Sequence, residues 1–388
     1  MLHRYLTSPI QQDALTSQKM AFISGPRQVG KTSLAQELLT NSENYFNWDD
    51  AAFAKAWVKN PESALNPAHP GPVVIDEIHK YRFWKKTLKG MYDKHKDKFN
   101  FIITGSARLD LYQKGGDSLL GRYYPYRLYP FTVSETATPT MNPENLEPNK
   151  INYPLKDLLQ LTGFPDPLLQ SNAGQAERWS RLRKERLLRE DIRDFKNIRE
   201  LQLMRILIEI LPEKIGSPLS INSLREDLQI SYSVLRDWIE ILKNLYICFQ
   251  IPPYHKKIAR SLVKESKYYL YDWIDIKSDG AKLENVVALH LLKACHFWTD
   301  CAVGTYDLYY IRTLDKLEID FCITKKGEPW MLVECKSNDL ALSPALIKMH
   351  RLFPKAKAIQ LTLKNIDKVD LPSGIRIINV EKFLSLFM

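Results

Sequence analysis

Gly25-Pro26-Arg27-Gln28-Val29-Gly30-Lys31-Thr32 is the stretch on which the reading of this chain turns. It follows the apolar run Met20-Ala21-Phe22-Ile23 and opens the amphipathic segment Ser33-Leu34-Ala35-Gln36-Glu37-Leu38-Leu39. Strand, glycine-bounded loop and helix, in that order, form the context in which a P-loop works. Gly25 and Gly30 let the backbone fold back so that consecutive N–H groups point at one spot. The helix N-terminus adds partial positive charge there. Residues Gly25, Pro26, Arg27, Gln28, Val29, Gly30, Lys31, Thr32 and Ser33 are therefore the expected ATP-binding segment. Lys31 is expected to reach the β- and γ-phosphates, and the Thr32 hydroxyl to coordinate Mg²⁺.

Around this stretch, from Arg4 to about Glu135, short apolar runs alternate with amphipathic ones, which predicts an α/β parallel sheet. Tyr45-Phe46-Asn47-Trp48 reads as a second strand ending in Asp49 and Asp50, and a proline-rich loop then leads into Pro72-Val73-Val74-Ile75-Asp76-Glu77. A continuous apolar run that ends in acids suits a strand buried on both faces, with its acids at the carboxyl edge beside the P-loop. Asp76 is expected to hold Mg²⁺ through water, and Glu77 to polarise the attacking water. Phe99-Asn100-Phe101-Ile102-Ile103 is a further buried strand whose polar end, Thr104-Gly105-Ser106, is placed as a γ-phosphate sensor. The tetrapeptide Asp76-Glu77-Ile78-His79 also matches a helicase DExH box. No second parallel-sheet pattern of the size such a helicase needs is present.

Composition narrows the classes. The chain has 388 residues, 55 basic against 45 acidic, a formal charge of +10 and 45% hydrophobic residues, as in a two- or three-domain globular protein. The basic balance permits a polyanionic partner without requiring one. Eight Lys and Arg residues between Lys80 and Lys98 face only Asp93 and Asp97, which fits a solvated helix face or a phosphate-facing one. Cys248, Cys295, Cys301, Cys322 and Cys335 contain no CxxC pair and read as reduced thiols in a cytoplasmic protein. The first residues lack a signal-peptide core and no run approaches about 18 apolar residues, so no membrane span is expected.

The P-loop, Val74-Ile75-Asp76-Glu77-Ile78, Thr104-Gly105-Ser106, Leu120-Gly121-Arg122 and Leu128-Tyr129-Pro130-Phe131 together resemble the prokaryotic and archaeal AAA-type ATPases that carry a C-terminal PD-(D/E)xK nuclease-like domain. The resemblance continues through Leu161-Thr162-Gly163-Phe164-Pro165 and Arg189-Glu190-Asp191-Ile192, with Thr162 standing where that family has glycine. It implies that Arg122, or Arg108 in competition with it, is an arginine finger serving a neighbouring subunit of a homo-oligomer.

The expected division is an AAA-type core over 1–137, a proline-rich linker over 138–154, a helical lid over 155–212, a winged-helix-like segment over 213–255 and a nuclease-like α/β domain over 256–388. In the middle segment, Ser220 to Leu228 and Ser231 to Leu242 read as two helices joined by a tight turn, followed by the strand Tyr246 to Ile251. That order resembles a winged helix, which serves either for DNA contact or as a spacer. In the last segment an amphipathic helix over Lys282–Trp298 carries Glu284. Strand alternation places Glu318 with Asp320, and Glu334 with Lys336. Glu284, Asp320 and Glu334 are the candidate metal ligands there, and Lys336 the candidate for orienting the hydrolytic water.

Two functions stand at this stage. One is a Mg²⁺-dependent ATPase acting on DNA, branched or junction forms included, with or without cutting. The other is a nucleotide-gated regulatory or signalling switch whose C-terminal domain is a non-catalytic binding module.

Overall fold

The computed structural model describes residues 4–388 except 66–68, 106–118, 137–138, 140, 193–197, 256–264 and 314. Ser106 and Arg108 lie outside the described residues. The chain forms two compact units, one of Met1–Pro130 with Glu135–Pro139, the other of Phe131–Ser134 with Thr140–Met388.

The first unit is built on strands β1 (Met20–Ser24), β2 (Tyr45–Asn47), β3 (Gly71–Asp76), β4 (Phe99–Thr104) and β5 (Tyr123–Arg127). They form a single sheet in the order β2-β3-β4-β1-β5, with every neighbouring pair parallel. β1, β3 and β4 are almost wholly buried, as largely apolar strands require in a sheet covered on both faces. β5 is a strand that the sequence pattern conceals, because Pro125 and Arg127 interrupt the apolar run. Its edge position explains why proline is tolerated. A core of Phe22, Trp57, Val73, Ile75, Leu88, Phe101 and Ile103 fills the space between sheet and helices. The basic stretch after β3 is the helix Trp84–His95, which buries Trp84, Leu88, Met91 and Tyr92 and turns its lysines outward.

The second unit begins with the helices Leu155–Leu161, Pro165–Gln170, Ala173–Arg186 and Ile198–Ile210. Thr162 ends the first of them at φ 64°, in the positive-φ region that costs a β-branched residue most. Glycine, with no Cβ, would take this backbone without that cost. The helices Ile221–Asp227 and Tyr232–Asn244 follow, each started by a serine whose hydroxyl accepts a backbone N–H. An antiparallel ribbon of β6 (Cys248–Ile251) and β7 (Lys267–Leu270) comes next.

The expected amphipathic helix at 282–298 is longer, Asp279–Asp300, and buried on most of its circumference. Its polar residues find internal partners instead of water: Lys293 Nζ donates to Thr132 Oγ1 at 2.8 Å, and His290 Nε2 accepts from the Val133 N–H at 3.0 Å. A mixed sheet closes the unit, with β8 (Tyr306–Arg312), β9 (Glu318–Lys325), β10 (Glu328–Cys335), β11 (Lys357–Thr362), β12 (Asp367–Val369) and β13 (Arg376–Asn379) in the order β12-β13-β11-β10-β9-β8. β9 and β10 form a hairpin through Lys326 and Gly327, both at positive φ, as two-residue hairpin turns require.

Candidate functional site

The P-loop is shaped by two glycines at backbone angles that L side chains rarely adopt. Gly25 has φ 148°, and a Cβ there would lie 2.2 Å from the Leu128 carbonyl oxygen. Gly30 has φ 97° and caps the helix Lys31–Glu37. The Lys31 ammonium is buried and donates to the carbonyls of Gly25 at 3.0 Å and Pro26 at 2.8 Å, so it stands inside the loop it serves.

At the carboxyl edge of β3, the Asp76 carboxylate is buried and accepts three hydroxyls. Thr32 Oγ1 donates to its Oδ2 at 2.8 Å, Tyr45 OH donates to the same oxygen at 2.9 Å, and Thr104 Oγ1 donates to Oδ1. P-loop helix, β2, β3 and β4 thus each supply one member of a single polar cluster. The expected placement of Thr32, Asp76 and Thr104 together is what the sheet order produces, since β4 lies between β1, which leads into the P-loop, and β3. Thr32 and Asp76 fit a Mg²⁺ ion, which takes oxygen ligands and keeps several waters.

Glu77 follows in the left-handed region at φ 57°. Burial pushes its carboxyl above the usual range; Lys31 and Lys80 oppose that shift and the neighbouring Asp76 adds to it. A raised pKa suits Glu77 to accept a proton. Lys80 Nζ lies 3.6 Å from Glu77 Oε2 and 2.6 Å from Asp49 Oδ2, and His79 Nε2 lies 3.6 Å from Glu77 Oε2.

Two residues that the motif reading missed complete this site. Tyr45 is one; burial, then the charge and hydrogen bond of Asp76, hold its phenol protonated far above the usual range, so it stays a donor. Arg4 is the other. Its buried guanidinium donates to Glu135 Oε1 at 2.7 Å, to the Val29 carbonyl inside the P-loop at 2.7 Å and to the Tyr129 carbonyl at 2.6 Å. No spacing rule singles out an arginine so far before the loop it braces. Tyr45 did carry a signal, as the first residue of a strand parallel to β3.

Arg122, expected as a finger for another subunit, forms a two-pronged pair with Asp93 of its own chain, at 2.7 and 3.0 Å.

In the second unit the expected acids do gather, but around a cation of the protein itself. Lys267 Nζ, fully buried, lies 2.6 Å from Glu318 Oε1, 3.1 Å from Glu284 Oε1 and 3.4 Å from Asp320 Oδ1. Tyr269, two residues along β7, donates to Glu284 Oε1 at 2.6 Å, and the Cys335 N–H donates to Asp320 Oδ2 at 2.9 Å. Burial and the Asp320 charge push both Glu284 and Glu334 up to about 7. Lys336 Nζ lies 3.1 Å from Glu334 Oε1. Glu334 Oε2 is buried without a hydrogen bond; Ser343 is near enough to temper the rise in pKa but makes no well-formed bond to that oxygen. Among the described residues no group of three or more His, Cys, Asp or Glu is arranged to hold a metal ion. The set Glu284, Asp320 and Glu334 does not fit a divalent ion while Lys267 stands among the acids. No helix among the described residues is long and apolar enough to cross a membrane.

Residues 17–137 match the family model described as an AAA domain, residues 153–273 a domain of unknown function (DUF8612) and residues 279–383 another domain of unknown function (DUF4143). An uncharacterized protein of Mycobacterium tuberculosis is 22% identical over 346 residues, which cover 82% of this chain and 70% of that protein. An uncharacterized protein of Methanocaldococcus jannaschii is 26% identical over 261 residues, 58% of this chain and 54% of that protein. Among solved structures, the Thermotoga maritima RuvB Holliday junction branch migration motor aligns over 63% of this chain and 89% of its own, at 16% identity and a TM-score of 0.30. The Aeropyrum pernix ORC1 protein in complex with DNA aligns over 74% and 93%, at 15% identity and a TM-score of 0.34. The motif geometry and the matched family model agree on one point: residues 17–137 are similar to an AAA domain, with a P-loop at the end of a parallel strand.

Proposed function

We propose that the chain is a Mg²⁺-dependent ATPase whose hydrolysis is coupled to DNA. The observation that carries the ATPase reading is the buried Asp76 carboxylate accepting the Thr32 hydroxyl beside a P-loop that already encloses Lys31. The loop N–H groups receive the phosphates and Lys31 exchanges its carbonyl partners for phosphate oxygens. Thr32 and Asp76 hold Mg²⁺, which when bound neutralises charge on the β- and γ-phosphates. Glu77 takes the proton of the attacking water, and Thr104 fixes Asp76 from the opposite side.

In an oligomer Arg122 is the residue proposed to stabilise charge on a neighbour's nucleotide, after its pair with Asp93 opens. Arginine fingers contribute about 10³–10⁵ in kcat. An Arg122→Ala chain mixed with a Lys31→Ala chain is expected to regain activity that neither has alone, because one supplies the pocket and the other the finger. Full activity of Arg122→Ala by itself removes Arg122 from that role.

Support for DNA as the partner is the outward face of residues 80–98. Phe83 is 56% exposed, and the Arg82 guanidinium lies over its ring at 5.4 Å, an arrangement suited to stacking on a base. Exposed Lys86, Lys96 and Lys98 extend the positive surface. Affinity for duplex DNA is expected to fall with a log–log salt slope of roughly −5 if about six phosphates are contacted. Phe83→Ala is expected to weaken single-stranded binding by about 1–3 kcal/mol while leaving the salt slope unchanged. Salt-independent binding, or none at low salt, sinks the DNA reading.

A specific observation favours the second reading, a nucleotide-gated switch: on this same face Lys80 is paired with Asp49 and Lys94 with Glu62, which spends part of the positive charge internally. The deciding experiment is an ATPase assay with duplex, single-stranded and four-way DNA. Stimulation by any of them supports the DNA-coupled enzyme. Hydrolysis indifferent to all three supports the switch.

A further inference from the structure

The acid cluster of the second unit poses a charge problem that the nuclease resemblance does not solve. Glu284 comes from the helix Asp279–Asp300, and Glu318 and Asp320 from β9. Three carboxylates brought together in a buried place repel one another and lose hydration, so each is costly without a counter-charge. In metal-dependent sites a divalent ion supplies that charge. Here β7 inserts Lys267 from the adjoining ribbon, and its ammonium reaches all three acids with no exposure to solvent. Arg312 takes the outer oxygen of Glu318, at 3.3 Å from Oε2. The Tyr310 ring stands 5.6 Å from the same ammonium and closes the site on another side.

We propose that Lys267 is the resident cation of this cluster, occupying the place of a divalent metal, so that the second unit engages its ligand without metal and does not cut phosphodiester bonds. An ammonium cannot do a metal's work here. It has no open coordination position for water or phosphate, and its three donors are already directed at carboxylates. A divalent ion entering beside it meets a fixed positive charge within a few ångströms. The outlying Glu334, with one oxygen on Lys336 and the other buried and unbonded, is then an acid left over from the set rather than half of a working pair. The inference stands apart from the ATPase reading, since no residue of the first unit enters it.

The test uses the full chain, nucleotide-free, in an Asp76→Asn background so that Mn²⁺ cannot bind at the P-loop. Lys267→Met keeps the length of the side chain and removes its charge. Isothermal titration with Mn²⁺ is expected to show no saturating site when Lys267 is present. The Lys267→Met chain is expected to gain one site, tighter by at least about a hundredfold than any binding before the change. Adding Asp320→Asn should remove the new site. A folded Lys267→Met chain that takes up no Mn²⁺ overturns the proposal, as does a Lys267 chain that binds Mn²⁺ through Asp320. If Lys267→Met does not fold, paramagnetic broadening in the Asp76→Asn chain that keeps Lys267 decides. Stoichiometric Mn²⁺ that broadens the Cys335 amide signal shows metal at the cluster and overturns the proposal, and an unaffected signal supports it.

Discussion

The Glu77→Gln chain is expected to bind ATP as tightly as the unsubstituted protein and to hydrolyse it about 10²–10⁴-fold more slowly. The substitution keeps the shape of the side chain and removes the oxygen that accepts the proton. Lys31→Ala should behave differently. It deletes the ammonium that the loop carbonyls of Gly25 and Pro26 hold at 3.0 and 2.8 Å, and with it the charge that receives the phosphates. Loss of binding, measured with a fluorescent nucleotide, is the expected result. Separating the two defects requires both measurements on both chains. Near-normal turnover in Glu77→Gln would remove Glu77 from the mechanism and direct attention to Asp49, which shares Lys80 with it.

Arg4→Met is expected to have the largest effect on stability, about 3–5 kcal/mol, because it removes a counter-charge from a buried carboxylate. Glu135 accepts from Arg4 Nε at 2.7 Å and both side chains are almost fully enclosed, so the substitution takes a close counter-charge from a carboxylate that bulk solvent reaches poorly. The same guanidinium holds the Val29 carbonyl, which ties global stability to the shape of the P-loop. Denaturant unfolding should show the loss, and nucleotide affinity should fall with it. Converting Glu135 to Leu in the Arg4→Met chain is expected to restore part of the stability, since no charge is then stranded. A single Arg4→Met chain within about 0.5 kcal/mol of the original would show that the pair is solvated and the clamp unimportant.

How far the sequence could be read depended on whether a signal was local. β3 and β4 announce themselves as largely apolar runs with polar ends, and the P-loop glycines sit at a spacing that only a few backbone shapes satisfy. Thr32, Asp76 and Thr104 were legible as a group because the ends of adjacent parallel strands must lie side by side. Arg4 was not legible, since its partners Val29, Tyr129 and Glu135 are joined to it only by the folded chain. β5 was hidden by Pro125, whose tolerance depends on an edge position that sequence does not mark.

Lys267 is the instructive case. The metal reading of Glu284, Asp320 and Glu334 takes in Lys336 and leaves out Lys267. Yet Lys267 and Tyr269, two apart on one strand, share a face, and both reach Glu284. A lysine alternating with buried aromatic residues in Lys267-Tyr268-Tyr269-Leu270-Tyr271 was a sign of an inward-facing charge.

The strand order of the first unit also governs when the protein can acquire its site during synthesis. β1, which leads into the P-loop, lies between β4 and β5, with Ala21 beside Ile102 and Met20 beside Tyr123. The loop therefore leaves the ribosome roughly a hundred residues before its strand can gain both neighbours, and pairings so distant along the chain form slowly. Until β5 emerges, an apolar strand stands with an unpaired edge, the kind of exposed edge that invites pairing with another chain. Slow translation across residues 99–127 prolongs that exposure, and a chaperone that covers the edge at that stage shields it.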